Sequence, residues 1–208
     1  MAVVYVYALN TLADWEIGNL IAEIHSRRFF KKDAGEYEVR FVGSSKEKIT
    51  SMGGITITPA DVVDDIVPGQ GDILVLPGAD TWNESVHVKV IQKAKEFLEK
   101  GAVVAAICGA TVALANAGML NERPHTSNGV GFLDMFVKDY KGEAYYVDCP
   151  SVADDNLITA ACTGGLLFTK QILQKMNVME DAALEYWYEY FSTGSAHHFF
   201  QLMKVVNQ

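Results

Sequence analysis

Apolar and polar positions follow two rhythms along this chain, and the rhythms take turns. Residues 3–8 are a short β-prone run, and residues 14–28 are amphipathic, with Trp15, Gly18, Ile21, Ala22 and His25 tending to one face. Residues 38–43 predict a second strand. Residues 49–58 hold Gly53-Gly54 between short β-prone runs, the pattern of a hairpin. Residues 72–76 predict a third core strand, closed by Pro77-Gly78, and residues 88–99 a helix ended by Lys100-Gly101. A strand run at 103–107 precedes a helix-compatible stretch at 112–117. Residues 144–148 and 157–161 predict two further strands around the turn Asp154-Asp155-Asn156, and 165–176 a helix. Residues 180–191 carry Ala183, Leu184, Trp187 and Phe191 at helical spacing, and a last helix is expected over 196–205. Strands alternating with helices imply a mostly parallel sheet covered on both faces.

The run Val103-Val104-Ala105-Ala106-Ile107-Cys108-Gly109-Ala110-Thr111 adds chemistry to that pattern. A β-branched strand ends on a cysteine, two small residues follow, and a helix begins. This is the layout of a nucleophile elbow, in which small residues let the backbone turn without a side-chain clash. Free N–H groups and the positive dipole end of the helix would favour a thiolate at Cys108. A plainer reading stands beside it, a buried structural cysteine.

Composition narrows the classes. The chain has 208 residues, half of them apolar, enough for one domain with a sizeable core. Net charge is −9, which argues against nucleic acid or an anionic membrane as partner. No apolar run is long enough to span a bilayer, and the N-terminus reads as a first strand, so a cytoplasmic protein is expected. Cys108, Cys149 and Cys162 form no CxxC pair, which suggests neither a disulfide framework nor a zinc site. There is no GxGxxG and no Walker A sequence; no cofactor and no metal are expected.

Sites in parallel sheets lie at the C-terminal strand ends. Three groups can converge there. Cys108 is the nucleophile candidate. Glu16 starts the first helix and could exchange a proton with it, or simply complement the helix dipole. Gly78-Ala79 follows the third core strand and could offer backbone N–H groups to an oxyanion, or form a plain turn. His125, in the polar loop Arg123-Pro124-His125-Thr126-Ser127-Asn128, could serve as base or acid if it reaches the thiol. His25 and His87 read as helix-surface residues. His197-His198 and the stripe Trp187, Tyr188, Tyr190, Phe191 read as packing or subunit-interface positions.

Taken together, Ala13-Asp14-Trp15-Glu16, Asp72-Ile73-Leu74-Val75-Leu76-Pro77-Gly78, Ala105-Ala106-Ile107-Cys108-Gly109-Ala110 and the late strand Leu157-Ile158-Thr159-Ala160 with Thr163-Gly164 resemble the ThiJ/PfpI superfamily, over residues 2–176. The resemblance implies a class I glutamine amidotransferase-like, flavodoxin-like three-layer α/β/α sandwich. It also implies Cys108 as elbow nucleophile, Glu16 as the carboxyl group bonded to it, oxyanion contacts from the Gly78, Ala79 and Gly109 backbone, and a homodimer or larger assembly. The motifs look like a bacterial branch labelled intracellular protease or amidase. Two departures stand out: Gly109 occupies the place of the histidine that follows the cysteine in the protease branch, and Ala79 the place of a second glycine. The expectation is one domain over 1–208, with 176–208 a helical extension. It is a cysteine enzyme acting on a small carbonyl or amide-like molecule by hydrolase, amidase, glyoxalase or deglycase chemistry rather than a true peptidase. The alternative is a non-enzymatic oxidative-stress sensor or chaperone-like binding protein that uses Cys108.

Overall fold

In the computed structural model, residues 1–207 are described, and they build a seven-stranded sheet between layers of helix. The chain runs β1 (Ala2–Ala8), α1 (Asp14–Ser26), β2 (Tyr37–Gly43), β3 (Ile49–Thr50), β4 (Thr56–Ile57), β5 (Asp61–Val62), β6 (Ile73–Leu76) and α2 (Val88–Glu99). It continues through β7 (Val103–Ile107), α3 (Gly109–Asn116), α4 (Phe132–Phe136), β8 (Ser151–Asp154), β9 (Leu157–Ala160), α5 (Gly165–Met176), α6 (Asp181–Thr193) and α7 (Ala196–Val206). The sheet order is β5-β2-β1-β6-β7-β9-β8, parallel throughout except where β8 meets β9. The expected flavodoxin-like α/β/α architecture is thus the one observed. Among the described residues no helix is long and apolar enough to cross a membrane.

The central strands are apolar because both faces are covered. Ile73, Leu74, Val75 and Leu76 are all buried, as are Val104, Ala105, Ala106 and Ile107. Each such large side chain contributes about 1.5–3 kcal/mol by leaving water. The order reverses direction between β1 and β6, so the loops after those two strands open a crevice at the carboxyl edge of the sheet. Cys108 follows β7, the next strand along.

Two local expectations change. No strand forms over 144–148. A 3-10 turn covers Glu143–Tyr145, and Tyr146 makes only an isolated bridge with His125. The strand before the turn is β8, because Asp155, at φ 43°, and Asn156 form a tight two-residue connection and pairing begins beside it, Asp154 opposite Leu157. His87 is not on a helix surface. It is buried, with Nδ1 2.8 Å from the Tyr7 hydroxyl, and burial lowers its pKa.

The C-terminal extension packs into the same core. Trp187 is fully buried, and its Nε1 donates to Glu23 of α1 at 3.0 Å. Phe191 stacks on Trp187, and Tyr190 meets Phe199. Most of the aromatic density in the tail is therefore explained by packing within the chain; Phe200 is the exposed member.

Candidate active site

β7 delivers Cys108 to the crevice, and one strained residue turns it. The Cys108 N–H still pairs with the Ala160 carbonyl at 2.9 Å, as a strand residue would. Its backbone then takes φ 57° and ψ −125°, a conformation costly for a residue with a Cβ, about 1–3 kcal/mol. Gly109 starts α3 directly afterwards. Thr111 secures the corner: its hydroxyl donates to the Cys108 carbonyl and meets the Ser127 hydroxyl, both at 2.6 Å.

Glu16 lies in the first turn of α1 and is 1% exposed. Its Oε2 accepts the Gly78 N–H at 2.6 Å. A Cβ at Gly78 would lie 2.7 Å from that oxygen and 2.8 Å from the Cys108 Cβ, so glycine is required for the three groups to meet. Glu16 Oε1 is buried without a hydrogen bond of normal geometry, although the neighbouring Cys108 side chain still draws the carboxyl's pKa down a little. Burial dominates and raises Glu16 to about 7, against the Gly78 N–H and Cys108.

The thiol departs from the sequence expectation. Burial pushes Cys108 up to about 11. The Asn128 amide and the Gly109 N–H favour the anion, while the charges of Glu16 and Cys162 oppose it. Desolvation thus outweighs the helix N-terminus. An ionised Glu16 adds to the rise of the thiol, so a second negative charge beside the first is disfavoured.

The other sequence candidates fall on both sides of the thiol. The Gly78 N–H is engaged by Glu16 and is not an open oxyanion donor, a correction to the sequence expectation; Gly78 positions the carboxyl instead. Ala79 is half-buried, and its N–H makes no hydrogen bond among the described residues. A Cβ at Gly109 would come 3.0 Å from the Ala79 oxygen, 3.3 Å from the Trp82 ring and 3.7 Å from the Ala79 nitrogen, so these two backbones face each other across the crevice. His125 is buried with its ring turned away: Nδ1 is 2.6 Å from the Arg123 carbonyl, and Nε2 meets the Tyr140 hydroxyl at 2.5 Å. Neither nitrogen bonds Cys108, because the loop places His125 under Tyr140 and Tyr146. The residue of that loop at the thiol is Asn128, whose Nδ2 lies 3.4 Å from Sγ. Sequence reasoning gave Asn128 no role. The polarity of the loop was the available signal, and it does not say which side chain points inward.

The wall opposite Cys108 is cross-tied. Trp82 Nε1 donates to the Pro77 carbonyl at 2.9 Å, the Thr81 hydroxyl to the Asn10 carbonyl at 3.0 Å, and the Asp80 N–H to the Thr11 hydroxyl at 2.8 Å. The β3–β4 hairpin joins through the Gly53 N–H on Asp14, at 2.6 Å.

An elbow cysteine, a buried carboxyl across a glycine and this strand order match a known pattern. Residues 2–175 match the model of the DJ-1/PfpI family. The chain belongs to that family. Its DJ-1/PfpI relatives include "Uncharacterized protease YoaZ" of Bacillus subtilis, 42% identical over 99% of this chain and 98% of that protein. A protein named as a deglycase in Thermococcus kodakarensis is 32% identical over 62% of this chain and 76% of its own. The solved thiJ/pfpI family protein of Bacillus anthracis superposes with a TM-score of 0.96, at 43% identity, over 100% of this chain and 99% of that one. The family model stops at residue 175, yet the Bacillus relatives extend across the tail, so α6 and α7 are shared with them.

Proposed function

We propose that this DJ-1/PfpI protein uses Cys108 as a nucleophile on a small carbonyl compound, with Glu16 as the proton shuttle. The observation that carries the reading is the buried, partnerless Oε1 of Glu16 beside an elbow cysteine. A buried carboxyl oxygen without a partner costs stability, and a carboxyl perturbed in this way within a crevice is the kind of group that handles protons in catalysis. In this reading the thiol proton moves to Glu16 as Sγ attacks the carbonyl carbon. The C–S bond forms, the carbonyl π pair moves to oxygen, and the Ala79 and Gly109 N–H groups receive the oxyanion. Glu16 then returns the proton to that oxygen, leaving a hemithioacetal; with an amide or ester, the proton goes to the leaving group instead. With His125 turned away and glycine at 109, Glu16 is, among the described residues, the acid placed to serve a departing amine, which favours carbonyl addition over peptide cleavage. The name deglycase carried by a relative points to the same substrate class.

The test is a panel of methylglyoxal, small amides and peptides on wild type and Cys108→Ala. Expected is methylglyoxal consumption lost with the variant; turnover equal to the variant's on every compound overturns the enzyme reading. Oxidant sensing is the second reading, supported by the N–H donors around Sγ, which suit sulfinate oxygens as well as an oxyanion. A gain of two oxygens at Cys108 after mild peroxide is its expected mark, and a disulfide would refute it. A cytoplasmic setting fits the three free cysteines. A homodimer is the assembly that goes with this reading. It is supported by the apolar groove that Ile21, Ala22, Val39 and Phe41 leave open between α1 and β2, and light scattering reporting a monomer would exclude it.

A further inference from the structure

Asn128 stands at the thiol in a way that its own hydrogen bonds fix. Its Oδ1 accepts the backbone N–H of Cys162 at 2.8 Å. An N–H can be received only by the amide oxygen, so the NH2 group must be the end that faces Cys108 Sγ, at 3.4 Å. The sulfur is therefore an acceptor on that side. A thiol there has to point its own hydrogen elsewhere, and the group left without a partner on the other side is Glu16 Oε1.

We infer that Asn128 is a catalytic residue of this site: it donates to the Cys108 sulfur, stabilises the thiolate and steers the S–H proton toward Glu16. The inference rests on the reading of Cys108 as the nucleophile. Asn128 gives the sulfur a neutral, always-donating neighbour, while the His125 ring is bonded to the Arg123 carbonyl and the Tyr140 hydroxyl instead.

Iodoacetamide alkylation of Cys108, followed by peptide mapping across pH, tests this without any substrate. Asn128→Asp keeps an acceptor for the Cys162 N–H while replacing the donor at sulfur by a negative oxygen. Asn128→Leu removes donor and acceptor together, and Asn128→Ala replaces it if the leucine variant does not fold. Expected are a thiol pKa raised by about one unit in Asn128→Asp, hence roughly tenfold slower alkylation at neutral pH, and a slowing of about threefold in Asn128→Leu. Profiles of both variants superimposing on wild type would overturn the inference. So would slowing in the leucine variant alone, which would make Asn128 only an anchor for the Cys162 backbone, or slowing in the aspartate variant alone, which would leave only like-charge repulsion. The alkylation result stands apart from the function assay: absence of methylglyoxal turnover with shifted profiles defeats the proposed function and leaves the role of Asn128 intact.

Discussion

Glu16 and Glu23 sit seven residues apart on α1, so two helical turns put them on the same face, and each is 1% exposed. Their surroundings are opposite. Glu23 accepts Arg28 through Nε at 3.1 Å, is paired with the same guanidinium through Nη2, and also accepts the Trp187 indole N–H. Every demand of that carboxylate is met, and it fastens the C-terminal helices to α1. Glu16 has one N–H donor, no cation and an oxygen with no partner. The same residue type, equally buried on one helix, is a clamp in one place and a proton store in the other. What separates them is whether the fold supplies counter-charge.

The comparison predicts opposite responses. The largest concerns pH. Burial lifts Glu16 from an ordinary 4.5 to about 7, so the folded state holds a proton that the unfolded chain releases earlier. A carboxyl raised on folding supports stability at low pH and loses that support as pH climbs through the folded value. At about 1.4 kcal/mol per pH unit, wild type should lose roughly 3 kcal/mol more than Glu16→Gln between pH 4.5 and 8. Urea midpoints at both pH values measure this, and parallel behaviour of the two proteins would make Glu16 as ordinary as its neighbours. Next, Glu23→Leu strands the buried Trp187 N–H and frees Arg28, at a cost of about 2 kcal/mol, while Cys108 alkylation stays within twofold of wild type. A change in alkylation without a change in stability would erase the division between the two glutamates. Trp187→Phe deletes the indole donor and leaves a small cavity where the outer ring was buried, so it should cost about 2 kcal/mol in denaturant unfolding, comparable with Glu23→Leu, again without touching alkylation. Glu16→Leu should do the reverse: it removes the acceptor of the thiol proton and slows alkylation at neutral pH about tenfold (about 1.4 kcal/mol), and Glu16→Gln, which cannot take that proton, should match it; faster alkylation in both would mean that Glu16 acts on the sulfur by repulsion alone.

Much of this contrast was legible in the residue order. The strand-then-cysteine run, the glycine after Pro77 and the acidic start of α1 each have a local signature, and each lies where the pattern put it. The strand expected at 144–148 failed because Tyr145-Tyr146-Val147 has a β-prone composition but finds only the single bridge to His125: the tight turn at Asp155-Asn156 assigns sheet pairing to the residues beside it. His87 looked like a surface residue because helical spacing does not reveal that Tyr7, 80 residues earlier in the chain, ends within hydrogen-bond reach. The engagement of the Gly78 N–H and the inward turn of Asn128 are choices among rotamers and loop paths, set by contacts 62 and 20 residues away in the chain. The thiol's rise has the same origin: the helix start is visible in sequence, and the depth of burial is not.

The wall at Ala79 and Trp82 also bears on how this protein can change. A histidine at position 109 would set its first side-chain carbon 3.0 Å from the Ala79 oxygen and 3.3 Å from the Trp82 ring, so the wall would have to give by a few tenths of an ångström. That wall is tied to the loop after β1, through Asn10 and Thr11, and to its own Pro77. Placing a side chain after the nucleophile, by drift or by design, therefore asks this moored wall to move with it.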